Sequence, residues 1–121
     1  MSENVQSIVV FGNSPAEERK GPVDAKHLIA GNPVHQVLNY YDSNEDQYRA
    51  GIWSSSCGKW HAFSGRNEFC HMLSGRVRLT DQDGNSREFV AGDAFVIGPE
   101  FDGTWEVLED ARKYYVIFEP K

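Results

Sequence analysis

Cysteine is scarce in this chain: two residues, Cys57 and Cys70, among 121. They form no Cys-x-x-Cys pair and no zinc-like spacing, which excludes a cysteine-built zinc module. Basic clusters are missing as well. Twelve Lys and Arg stand against eighteen Asp and Glu, for a formal charge of −6. A nucleic-acid binder would need a basic patch, so that class is excluded, and the acidic balance speaks only for solubility. No apolar run approaches the length of a membrane span. The N-terminal MSENVQSIVVFG lacks a basic region and a long apolar stretch, so it is not a signal peptide. A soluble protein of a reducing cytoplasm, with both thiols free, is the expectation. There is no internal repeat, no low-complexity tract and no sustained helical periodicity. A glycine-rich phosphate loop and a Ser/His/Asp motif in recognisable context are absent too.

What is present is a folded composition: 40% apolar residues, 12% aromatic, eleven glycines and five prolines. The length suits one domain with a core of its own. Short strand-like runs punctuated by turns dominate. Ser7–Phe11 and Val34–Tyr41 read as strands, Pro15–Lys20 as a polar turn and Asp42–Gln47 as a loop. From Tyr48 the alternation is clearer. Ala50, Ile52 and Ser54 share one face opposite Gly51 and Trp53, and Lys59–Phe63 makes another strand. Glu68–Leu73 follows, then a break at Ser74–Gly75, then Val77 and Leu79 alternating with Arg76, Arg78 and Thr80. Asp81–Asn85 is a hairpin turn, since Asp-Gly tolerates positive φ. Ser86–Val90, Ala94–Ile97, Gly103–Leu108 and Tyr114–Phe118 complete the set, with Asp93 capping the Ala91–Asp93 turn. Strands at such intervals predict one all-β domain, a sandwich or barrel.

Two spacings carry a family likeness. Glu68, six residues, then Gly75 resembles the second half of cupin motif one. Gly92, five residues, then Gly98-Pro99 resembles the opening of motif two, sixteen residues further on. Gly51-Ile52-Trp53, Gly58-Lys59-Trp60, Leu73-Ser74-Gly75-Arg76-Val77, Gly92-Asp93-Ala94-Phe95 and Gly103-Thr104-Trp105-Glu106-Val107 extend it. They resemble the subfamily named for the (S)-ureidoglycine aminohydrolase cupin domain, long carried as a domain of unknown function. The resemblance implies a single-domain jelly-roll barrel. Residues 1–47 would be an N-terminal extension packed on the barrel or on a dimer edge, and residues 48–121 the barrel core.

A typical metal cupin supplies His-x-His, a Glu and a further His, a donor set suited to Mn, Fe, Ni, Cu or Zn. Carried onto this chain, the first slots fall at His61 and Phe63, the carboxylate at Glu68 and the last slot at Gly103. Only His61 and Glu68 can ligate, so they are the metal candidates and also the catalytic candidates. Cys70 shares the strand face of Glu68, and His71 lies on the other. Cys70 reads as a small core residue or as a soft third ligand. Glu68 reads equally as a functional group or as a carboxylate held by Arg66, Arg76 or a Trp N–H. Lys113 reads as a solvated strand-edge lysine, and His27 and His35 as surface or packing residues. Gly75, Gly84, Gly92 and Gly103 are assigned to turns.

Trp53, His61, Phe63, Glu68, Cys70 and Trp105 are therefore the expected cavity residues. An aromatic cavity with a carboxylate would suit an amine or ureido group. The leading functional expectation is a small-molecule-binding cupin without a complete metal cage. The alternatives are a divalent-metal hydrolase resembling ureidoglycine aminohydrolase, and a structural or regulatory protein without catalysis. A homodimer is the expected assembly.

Overall fold

The structure, a computed structural model, describes residues 7–12, 14–43 and 47–119. Nine β-strands and no helix are present among them. The strands are β1 (Glu17–Pro22), β2 (Leu28–Gly31), β3 (Val34–Asp42), β4 (Tyr48–Ser55), β5 (Gly58–Phe63), β6 (Asn67–Thr80), β7 (Ser86–Val90), β8 (Ala94–Ile97) and β9 (Asp102–Phe118). No helix among the described residues is long and apolar enough to cross a membrane.

The long strand β9 is the spine. Its second half pairs antiparallel with β4, from Ala111 opposite Ser55 to Phe118 opposite Tyr48. Its first half pairs with β5, from Asp102 opposite Phe63 to Val107 opposite Gly58. Along its other edge it pairs with β6, which in turn carries β8 on its first half and β7 on its second. The path β1-β3-β4-β9-β5-β2 thus curls against the β6, β7 and β8 arm, which makes a single-domain jelly roll.

Alternation along β9 decides what lies inside. Trp105, Val107, Ala111, Lys113, Tyr115 and Ile117 are all buried, and Arg112 and Tyr114 between them are exposed. At one end, Cys70, Met72, Val77, Leu79, Ile97 and Val107 close into an apolar core, supported by Phe89 and Phe95 with ring centroids 3.9 Å apart. At the other end the barrel stays open.

Several sequence expectations need correction. Ser7–Phe11 is irregular, and Pro15–Lys20 is not a turn but leads into β1, whose register with β3 runs from Glu17–Asn39 to Pro22–Val34. The turn residues do not end the chain's extension there because backbone pairing to β3 outweighs a weak local preference. Strand β2 was not foreseen. Together β1 and β2 occupy both ends of the six-strand path, so the described part of the 1–47 segment completes the sheet; residues 1–6, 13 and 44–46 lie outside the described residues. Ser74–Gly75 does not break a strand. It sits inside β6, where the register with β9 shifts between Met72 and Val77. Gly75 has φ of 82°, and a Cβ there would stand 2.2 Å from the Asp110 carbonyl oxygen. A bulge, not a turn, is what requires this glycine. The Asp93 cap is as expected, with the Val90 N–H donating to its carboxylate at 2.8 Å.

Candidate functional site

The open end holds a cavity of about 590 Å³. Period-two alternation on β6 points Glu68, Cys70 and Met72 the same way, from mouth to core, and Arg66, in the turn just before the strand, also lines the cavity. Glu68 lies on the wall and Cys70 behind it is completely buried. From β9, Lys113 enters the same space with a side chain only 4% exposed.

Lys113 and Glu68 form the centre of the site. Lys113 Nζ donates to Glu68 Oε2 at 2.8 Å and to Cys70 Sγ at 3.2 Å. The Cys70 thiol lies 3.5 Å from the same carboxylate oxygen. The ammonium also sits over two indoles, 4.3 Å from the Trp105 centroid and 4.9 Å from that of Trp53. Burial works against charge on both partners, yet each stabilises the other's ionised form. The carboxylate is held below the ordinary glutamate range and the ammonium above the ordinary lysine range. Burial pushes the Cys70 thiol up to about 12, which favours its protonated form near neutrality.

Aromatic rings frame this pair. Trp53 and Trp105 lie 5.4 Å apart, and Trp60 stacks parallel to Trp105 at 6.3 Å. His35 on β3 packs against Trp60 at 4.5 Å and Trp53 at 5.1 Å. Burial and the neighbouring Lys113 charge drop its pKa to about 4, so the ring is neutral at pH 7. Its Nε2 is buried without a hydrogen-bond partner among the described residues.

The expected residues divide accordingly. Trp53, Phe63, Glu68 and Trp105 line the cavity, and Cys70 contacts Glu68 and Lys113 from behind it. The structure does not bring His61 to them. On β5 the inward positions are Trp60 and Ala62, and His61 points the other way. There its Nε2 meets Asp102 Oδ1 at 2.7 Å, with the imidazole 41% exposed. Counting slots by motif thus landed one residue off the pleat. Gly103 fails for another reason: a Cβ there would lie 1.9 Å from the Thr80 carbonyl oxygen, so it is a strand contact and no turn. Lys113 is not a solvated edge lysine, and Arg76 is not a partner of Glu68 but pairs outside with Glu88 and Glu109. His35 is a cavity residue that sequence reasoning passed over. Alternation counted back from Ile117 and Tyr115 was the one signal that placed Lys113 inward.

A resident metal does not fit this donor set. Among the described residues no group of three or more His, Cys, Asp or Glu is arranged to hold an ion. The inward carboxylate of β6, Glu68, is already paired with an ammonium. The amine box anticipated from the aromatics is likewise filled from within, by Lys113.

The comparisons agree with this geometry. Residues 42–115 match the family model described as the EutQ-like cupin domain. The chain belongs to the EutQ-like cupins. As a cupin of this family it is similar to a protein of unknown function of the DUF861 family from Pseudomonas syringae pv. tomato. That likeness has 22% identity and a TM-score of 0.74 over 84% of this chain and 44% of that one. The cupin thus spans less than half of the Pseudomonas protein. It is also similar to a putative ethanolamine utilization protein Q from Salmonella typhimurium, at 16% identity and a TM-score of 0.63 over 72% of this chain and 71% of the other. A DUF861 family protein from Thermotoga maritima is 31% identical over 53% of this chain and 73% of its own, with a TM-score of 0.52. No curated protein matches the sequence.

Proposed function

We propose that this cupin binds a small molecule in its open cavity without a resident metal, a buried ammonium–carboxylate pair taking the place of the metal as the charged centre. The observation that carries the reading is the Lys113–Glu68 contact at 2.8 Å beneath three tryptophans. A barrel with no ligand to hold would gain by filling this end with apolar side chains, because a buried ion pair is commonly no more stable than a hydrophobic replacement. Here the pair is kept, and beside it stays a cavity of ligand size. A cytoplasmic setting, where both free thiols stay reduced, belongs to the same proposal.

The test is thermal-shift screening of small acids, amides, amines and ureides, with hits measured by calorimetry on Glu68→Gln and Phe63→Ala. Hits should weaken in both variants. Hits that bind both variants as tightly as the wild type would remove the cavity from consideration. The alternative, a hydrolase resembling ureidoglycine aminohydrolase, needs a divalent metal to polarise its substrate. Elemental mass spectrometry on untagged protein separates the two. Near-stoichiometric Mn, Fe, Ni or Zn that disappears in Glu68→Ala would favour the hydrolase.

Pairing of two copies is part of the proposal. The outer face of β6, β8 and β9 exposes Phe69, Val96, Tyr114 and Phe118, a contiguous apolar set of the kind that self-association covers. A monomer mass by light scattering at micromolar concentration would count against it.

A further inference from the structure

The charges on the cavity wall do not cancel. Each wall carboxylate has a partner: Glu68 has Lys113, Glu17 lies 3.8 Å from Arg19, and Asp42 accepts from the Asn39 amide. Among the cations, Lys113 and Arg19 are matched by these carboxylates, and Arg49 lies 3.6 Å from Glu119. Arg66 is different. It lines the cavity, and among the described residues its guanidinium has neither a hydrogen bond nor an ion pair; only its backbone is engaged, with Ser64 Oγ. It lies in the turn that leads into β6, two residues before Glu68. A second unmatched group lies deeper in the wall, the buried Nε2 of neutral His35, between Trp53 and Trp60.

We infer that the ligand is a small organic acid: an anionic head at Arg66, a flat apolar body against the tryptophans and a polar atom at the inner end for His35. This rests on the reading of the cavity as a ligand site and narrows its chemistry. A cationic ligand would find the aromatic faces already taken by the Lys113 ammonium and Glu68 already neutralised. A carboxylate at Arg66 gains a two-pronged, charge-assisted contact from a guanidinium whose recorded interaction is a through-space attraction to Glu68, a carboxylate that Lys113 already holds. An imidazole nitrogen left unpaired in a buried place costs free energy that a ligand hydroxyl or ring N–H recovers.

Three probes with one ring system decide the matter: naphthoate, naphthamide and naphthylmethylamine, titrated by calorimetry into the full chain. Naphthoate should bind about tenfold or more tighter than the other two, as a charge-assisted contact warrants. Arg66→Gln should erase that preference without moving the melting temperature, and Arg66→Lys should restore part of it. A hydroxynaphthoate that reaches His35 should outbind naphthoate in the wild type but not in His35→Phe. Equal binding of the amide, tighter binding of the amine, or an acid preference that survives in Arg66→Gln would overturn the inference and leave ligand binding standing. Silence toward all three, with hits of other charge in the broader screen, overturns it in the same way. Silence toward every compound of every charge would sink the ligand-binding reading itself.

Discussion

Strands β6 and β9 carry two sets of acid–base pairs, one on each face. Inside, Glu68 of β6 meets Lys113 of β9 with side chains 15% and 4% exposed. Outside, Arg76 and Arg78 of β6 meet Glu106 and Glu109 of β9 and Glu88 of β7, at 2.7–3.2 Å. The groups and distances are nearly the same; the solvent is not. Water and salt screen the outer network, and exposed pairs add little to stability. The inner pair has lost its hydration and holds its charge only because each partner supplies what water no longer does. The lesson is that exposure, not the count of contacts, decides which of these pairs the fold depends on.

That contrast can be broken most sharply at Lys113. Lys113→Met leaves Glu68 buried and unpaired, and chemical denaturation should register a loss of about 3–5 kcal/mol. The double variant Lys113→Met with Glu68→Leu should recover most of it, since no charge is then stranded. A single variant as stable as the wild type would mean that water reaches the site freely. A smaller effect is expected from pH. Because the Glu68 pKa is depressed and that of Lys113 raised, the pair's contribution is complete between the ordinary values of 4.5 and 10.5. It declines as pH falls through the folded carboxylate pKa or rises through the folded ammonium pKa. His35 acts within that plateau. Its pKa falls from 6.5 to about 4 on folding, so the unfolded chain binds the extra proton and stability drops as pH goes from 6.5 toward 4. His35→Phe should flatten that limb of a melting-temperature-versus-pH curve. The least effect belongs outside. Glu88→Gln should shift the melting temperature barely at all, and less still at about 1 M salt, where the screening length is about 3 Å.

The same contrast explains what could be read from the sequence. The all-β architecture was legible from β4 onward, because apolar alternation and Asp-Gly or Gly-Pro turns coincide there. β1 and β2 were not legible: EERKGP and LIAG carry few inward apolar residues, and only pairing with β3 and β5 makes them strands. Within the site, Glu68, Trp53 and Trp105 followed from alternation and motif. Lys113 did not, since a lysine in an alternating strand is ordinarily assigned to solvent. Its burial depends on a carboxylate 45 residues away, a contact that no local pattern encodes.

Gly103 has a consequence for the history open to this barrel. Its missing side chain is what lets β9 run against the Thr80 backbone, with 1.9 Å between a would-be Cβ and the carbonyl oxygen. A histidine placed there would not complete a donor cage; it would prise two paired strands apart. Nor would His61 help, because its place in the pleat aims it outward. At Gly103 the backbone contact, and not the supply of imidazoles, is what keeps a fourth donor out.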